Sequence, residues 1–186
     1  DGMADSNTVG WSLNILPVND APVITTSSGS VSFTEQGRAV IIDADLSVSD
    51  VDNTHLTYAM INIDTNYVAA EDVLAFTNQW GITGHFDASA GTLSLTGVAS
   101  IADYQTALRS VTYRNSNTQN PSAVSRTIRF VVYDGQAYSA PVSRNVNIIA
   151  VNEAPVVATS TGSVNFIEGT SPAIIDSAIR VSDADN

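Results

Sequence analysis

RTIRFVVYD, residues 126–134, is the stretch on which the fold turns. Apolar and polar side chains alternate along it, β-branched residues are enriched, and the pair Asp134-Gly135 closes it as a turn. A period of two is the mark of a strand with one buried face, whereas a helix repeats every 3.6 residues. The same alternation returns in HLTYAMINI (55–63), GTLSLTG (91–97) and SRNVNIIAV (143–151), with Gly, Asn, Asp and Pro marking the turns. Short strands so spaced predict an all-β protein, an antiparallel Greek-key β-sandwich with its core between two sheets. One segment breaks the pattern. In ASIADYQTALRSV (99–111), Ser100 is placed to cap a helix, Asp103 sits in its first turn, and Ile101, Tyr104, Ala107 and Leu108 fall on one face. This predicts a short helix over 101–109, laid across an end of the sandwich.

Charge restricts the partners. The 186 residues hold 7 basic side chains, all Arg, against 19 acids, for a net charge of −12. Nucleic acid and anionic lipid carry the same sign and are excluded as natural partners, whereas a divalent cation is favoured. With no Cys there is no disulfide framework, thiolate metal site or cysteine nucleophile. The two histidines, His55 and His85, stand 30 residues apart without a partner motif and read as surface residues. Apolar runs reach four or five residues, far short of the roughly 18 that span a bilayer, so no membrane insertion is expected. No acid is set beside His or on a catalytic turn, so the chain does not read as an enzyme.

Internal repetition organises the rest. At an offset of 133, NDAPVITTSSGSVSFTE (19–35) aligns without a gap with NEAPVVATSTGSVNFIE (152–168), and VSDVDN (48–53) with VSDADN (181–186). Between 21–53 and 154–186, 18 of 33 positions are identical. The same offset carries Asp1-Gly2 onto Asp134-Gly135 and NIL (14–16) onto NII (147–149). The expected organisation is therefore a window on a tandem array: the last strands of one unit in 1–20, a complete unit in 21–153, and the first part of the next in 154–186.

These motifs resemble a known family. YDGQAYSAPVSRNVNIIAVNEAP (133–155) is similar to the last two strands and exit linker of a cadherin-type domain, FTEQG (33–37) resembles the early glutamate motif of such domains, and SDVDN (49–53) their Asp-x-Asp motif. The longer stretch 72–115 resembles the cadherin-like repeats of very large bacterial surface adhesins of the calcium-binding RTX type. The resemblance implies an extracellular, secreted, cell-surface protein whose repeats are stiffened by Ca²⁺ where they meet and which supports cell adhesion or biofilm formation. Its partners are then the neighbouring repeats of the same chain and a cell-surface protein or glycan. By carry-over, an upstream junction would draw ligands from Asn19, Asp20, Asp50, Asp52 and Asp134. A downstream junction would use Glu35, Asn152 and Glu153 with Asp183 and Asp185 of the following unit. Calcium chemistry points the same way, since Ca²⁺ takes six to eight oxygens from carboxylates, amides and main-chain carbonyls. The linker is one residue shorter than the cadherin form, and Pro17 and Ala150 stand where an acid is usual, so fewer ions per junction are expected.

Other readings of the same residues stay open. SDVDN also suits a plain Asx turn, and NDAP and NEAP suit Pro-stiffened linkers. Asp43 and Asp45 read as a solvated strand end, because Asp45 has no counterpart in the second copy. Trp80 reads as a partly buried loop aromatic. The alternative function is a β-sandwich module that binds a carbohydrate or protein through Tyr67, Trp80 and His85.

Overall fold

A computed structural model describes residues 2–5 and 7–185; Asp1 and Asn186, members of the repeated Asp-Gly and VSDADN motifs, lie outside the described residues. The strands in chain order are β1 (Val23–Thr25), β2 (Ser30–Thr34), β3 (Val40–Ile41), β4 (Ser47–Ser49), β5 (His55–Thr65), β6 (Asp72–Ala75), β7 (Thr83–Asp87) and β8 (Thr92–Ser100). Helix α1 (Ile101–Arg109) follows, then β9 (Thr112–Asn115), β10 (Arg126–Tyr133), β11 (Val142–Ile149), β12 (Val156–Ala158) and β13 (Arg180–Ser182). Six strands form the larger sheet in the order β2-β11-β10-β5-β8-β7, and three form the facing sheet, β3-β9-β6. All pairs in the larger sheet are antiparallel except β2 with β11, which run parallel. The fold is an all-β sandwich with one short helix.

The four alternating stretches become β5, β8, β10 and β11, and their period of two decides which side chains are buried. Ala59, Ile61 and Ile63 of β5, Leu93 and Leu95 of β8, Ile128, Phe130 and Val132 of β10, and Val146 and Ile148 of β11 all point to one core. Leu74 and Tyr113 meet them from the smaller sheet, and Phe33 packs edge-on to Tyr113 at 5.8 Å between ring centres. Close packing of this kind is the main source of stability for a sandwich.

Helix α1 spans the predicted residues. Ser100 is extended, and its hydroxyl accepts a hydrogen bond from the Asp103 amide at 3.1 Å. Tyr104, Ala107 and Leu108 are buried, as their helical spacing requires. The helix also holds β4: Arg109 Nε donates to the Leu46 carbonyl at 2.7 Å, and Gln105 Oε1 accepts from the Val48 amide at 3.1 Å. Behind it the β8 strand runs close to the 79–82 turn. A Cβ on Gly97, whose φ is +137°, would collide with the Gly81 carbonyl oxygen, so only glycine fits there.

On either side of the sandwich the repeat has different outcomes. In the downstream copy, β12 pairs with β13 as Val156 opposite Ser182, the register of Val23 opposite Ser49 in β1-β4 shifted by 133. Upstream, WSLNIL (11–16), which aligns with 144–149 of β11, forms no strand, and Trp11, Leu13 and Leu16 stand in solvent. β11 is held between β10 and β2, and no described strand takes those places beside 11–16. No helix among the described residues is long and apolar enough to cross a membrane.

Candidate functional site

Both junctions are built by the same local devices. Upstream, the linker reaches β1 through Asn19, Asp20 and the buried Pro22, and the SDVDN turn follows β4, the neighbour of β1. The Asp20 amide donates to Asp52 Oδ2 at 3.0 Å, tying the linker to the turn. Asp50 Oδ1 accepts from the Asp52 amide at 3.0 Å and the Asn53 amide at 2.9 Å. The Asx turn therefore forms, but it uses only one oxygen of Asp50. The other, Oδ2, is buried without a partner.

Asp134 joins the group from the Asp-Gly turn after β10. Its Oδ1 accepts from the Gln136 and Ala137 amides at 2.6 and 2.7 Å, while Oδ2 accepts from Asn19 Nδ2 at 3.0 Å. Burial alone would raise this carboxyl, but the bonds from Ala137, Asn19 and Gln136 prevail and hold it below the usual range. Asn53 Nδ2 completes the ring by donating to Asn19 Oδ1 at 2.6 Å. All five residues assigned to the upstream junction thus belong to one hydrogen-bonded group, together with Asn53.

Downstream, the geometry repeats at the offset of 133. The Glu153 amide donates to Asp185 Oδ2 at 2.6 Å, and the Asp185 amide to Asp183 Oδ1 at 3.0 Å. Asn152 Nδ2 donates to the Glu153 carbonyl at 2.8 Å, as Asn19 Nδ2 does to the Asp20 carbonyl at 2.9 Å. Glu35 enters from the end of β2: Oε2 accepts from the Val151 amide at 2.8 Å, and Oε1 is buried with no partner. Glu153 Oε2 is likewise unpartnered, while its Oε1 accepts from Gln36 Nε2. Loss of solvent, then the charges of Glu35 and Asp185, raise the Glu153 carboxyl above its ordinary value.

Three carboxylate oxygens, Glu35 Oε1, Asp50 Oδ2 and Glu153 Oε2, are thus withdrawn from water without a donor. Such a group costs free energy unless something positive compensates it. No three His, Cys, Asp or Glu side chains among the described residues converge into a metal-holding group. Repulsion between Glu153, Glu35 and Asp185 acts over a longer range than direct coordination, so the two observations are compatible. A cation held here would need amide and main-chain oxygens as well as acids. Asn19, Asn53, Asn152 and the linker carbonyls are of that chemistry.

Asp43 corrects the reading of 43–45 as a solvated strand end. It is 2% exposed and accepts from the Ser27 amide and hydroxyl, both at 2.8 Å, and from the Asp45 amide at 3.1 Å. Arg144 Nη1 bonds the Ser27 carbonyl at 2.8 Å and lies 3.8 Å from Asp43. Asp176 repeats the arrangement with Ser160 at 2.7 and 2.8 Å, and those bonds lower its carboxyl. Identity of Asp43 and Asp176 across the two copies was the signal for this role. Asp45 is exposed.

A second group joins residues that no sequence motif connects. Arg126 is fully buried, with Nε 2.9 Å from Asp72 Oδ2 and Nη2 3.5 Å from Glu71 Oε2. Asp72 also accepts from the Val68 amide, the Tyr113 hydroxyl and Asn115 Nδ2. Burial would raise Glu71, but bonds from Asn117, Asn115 and Ser122 and the Arg126 charge leave it lowered. This network ties 66–72 to 115–126, and Thr118 in that loop accepts from Gln36 Nε2, the same amide that holds Glu153.

The aromatic set of the alternative reading is dispersed in role. Trp80 sits on the 79–82 turn with φ +49° and 49% exposure. Tyr67 lies over Gly91 and donates its hydroxyl to the Ala88 carbonyl, and His85 is exposed on β7, as is His55 on β5.

No family model matches the chain. It is 30% identical over 139 residues to halomucin of Haloquadratum walsbyi (strain DSM 16790 / HBSQ001), a match that covers 72% of this chain and 2% of halomucin.

Proposed function

We propose that this chain is a calcium-binding structural repeat of an extended, extracellular surface protein, a cadherin-like unit of the kind found in large bacterial adhesins. Its task in that reading is reach and stiffness, in support of adhesion or biofilm formation, without chemistry of its own. The observation that carries the reading is the trio of buried, unpartnered carboxylate oxygens at the two junctions, Asp50 Oδ2 upstream and Glu35 Oε1 and Glu153 Oε2 downstream. Ca²⁺ is a hard cation that takes mixed carboxylate, amide and main-chain oxygens. Asn19, Asp20, Asp50, Asp52 and Asp134 would hold it upstream, and Glu35, Asn152, Glu153, Asp183 and Asp185 downstream. Neutralising the acids would lock each linker to the turn that its amide already touches.

Two further facts support a repeated surface unit. The hydrogen bonds of the Asp20–Asp52 pair recur in Glu153–Asp185, so one junction design serves successive units. Similarity over most of this chain to a small part of a very long protein fits a modular array. A cation that binds only the folded state stabilises it by RT ln(1 + [L]/Kd), about 2.7 kcal/mol at a hundredfold excess over Kd. Thermal unfolding in about 1 mM calcium, compared with excess chelator, tests the reading. A higher melting temperature with calcium is expected, and coincident curves would sink it.

A further inference from the structure

The outer face of the larger sheet holds a feature that the junctions leave unused. There Tyr58 of β5 stands opposite Tyr133 of β10, Met60 opposite Val131, and Asn62 opposite Arg129. Their chain neighbours Ala59, Ile61, Phe130 and Val132 fill the core, so these side chains stand on the solvent side. Val131 is nevertheless only 6% exposed, because larger outer-face groups gather around it. Tyr58, Met60, Arg129, Val131, Tyr133 and Tyr138 line a cleft of about 600 Å³, within the range of small-ligand sites.

The chemistry of the cleft is specific. Tyr138 stacks on Tyr133 with ring centres 4.3 Å apart and planes 28° from parallel, and the Tyr133 hydroxyl donates to the Gly135 carbonyl at 2.8 Å. Tyr133 is thereby fixed, while Tyr138, 59% exposed, offers open ring surface. Arg129 supplies the charge. Its Nε is shielded from solvent and has no partner, and its nearest acid, Asp64, lies 3.8 Å from Nη1. On a chain with 7 basic and 19 acidic residues, a loosely paired guanidinium beside aromatic rings is an anomaly of charge.

We infer that this cleft binds a saccharide bearing a carboxylate, the tyrosine pair receiving a pyranose face and Arg129 the carboxylate. A pyranose presents a patch of C–H groups that complements the negative face of an aromatic ring. A guanidinium matches a carboxylate with two parallel N–H···O bonds, and Arg129, whose side chain is 40% exposed, has guanidinium surface open to a ligand in the cleft. A proline-rich peptide could lie on the same rings but would leave the arginine unused. The inference stands apart from the calcium reading: Asp134 Oδ1, not the junction-facing Oδ2, holds the turn that carries Tyr138.

The test is titration of the ¹⁵N-labelled chain with trimers of galacturonate, glucuronate and mannuronate and with their methyl esters, in chelator so that no cation can bridge acid to acid. At least one free acid binds saturably and shifts the amides of 58–60 and 129–138. Arg129→Gln weakens that binding about tenfold or more, the scale of a charge-assisted hydrogen bond, and leaves the ester unaffected. Tyr138→Ala weakens both, and Asp64→Asn tightens the acid by removing its competitor. Neither the tyrosine nor the arginine variant unfolds the chain, since Tyr138 is 59% and the Arg129 side chain 40% exposed. Absence of saturable binding by all three acids, indifference to Arg129→Gln, or preference at these residues for a proline-rich peptide overturns the inference.

Discussion

Replacing Asp72 by Ala should be among the most damaging single substitutions in the chain. The carboxylate is 1% exposed and its partner Arg126 is fully buried, with 2.9 Å between Nε and Oδ2. Removing it leaves a guanidinium in the interior with Glu71, at 3.5 Å, as its remaining acid. It also strands the Tyr113 hydroxyl and the Val68 amide. Breaking one side of a buried ion pair costs about 3–5 kcal/mol, because the orphaned charge keeps its desolvation penalty. Against a typical domain stability of roughly 5–15 kcal/mol, that is about a fifth of the whole at the least. At this chain length it amounts to roughly 6–20 °C in melting temperature. Urea denaturation followed by tryptophan fluorescence and far-UV dichroism measures it. The pair Asp72→Ala with Arg126→Met should recover about 2 kcal/mol of the single loss, since no charge then remains buried. A single variant costing under about 1 kcal/mol, or a double variant costing the sum of its parts, would refute the reasoning.

Three other outcomes follow from neighbouring features. Ser100→Ala removes the cap that receives the Asp103 amide and donates to the Asp103 carboxylate, and should cost about 1 kcal/mol in the same assay, with Ser100→Thr restoring most of it. Asp43→Ala should destabilise the chain by about 1–3 kcal/mol, because it strands the Ser27 amide and hydroxyl, while Asp45→Ala, at an exposed position, should change little. Glu153→Gln should raise the melting temperature of calcium-free protein at pH 7. Its carboxyl is raised in the fold, so the native state binds the proton more tightly, and its destabilising share grows as pH rises from the unfolded to the folded pKa. The advantage of Glu153→Gln should therefore fade as pH is lowered through that window, and an advantage that grows on acidification would contradict the cause assigned.

The sandwich was legible because its information is periodic. Alternation in 126–134 and its three companions fixes both strand and buried face, and the Ser100 cap with its Tyr104-Leu108 stripe fixes the helix to its ends. Groups whose members are distant in sequence were not. Arg126 meets Asp72 across 54 positions; the alternation puts it in phase with the buried Ile128 and Phe130, but nothing in the sequence pairs it with Asp72. Asp43 was misjudged because its neighbour Asp45 is absent from the second copy, although Asp43 itself is repeated as Asp176. Repetition also pairs the ligand candidates, since it aligns Asp20 with Glu153 and Asp52 with Asp185. It could not tell which oxygens turns and linkers consume. That needed the backbone, which spends Asp50 Oδ1 on the turn and leaves Oδ2 bare.

The central claim, that the junction acids hold calcium, is most directly tested by isothermal titration of chelator-stripped protein with CaCl₂ at physiological salt. The wild-type chain should bind saturably, with magnesium a poor competitor because it demands a tight octahedron and sheds water reluctantly. Asp50→Ala and Asp52→Ala should each abolish the upstream part of the isotherm while the calcium-free protein keeps a cooperative unfolding transition. A flat wild-type isotherm, or upstream binding that survives both substitutions but is lost in Asp45→Ala, would contradict the account.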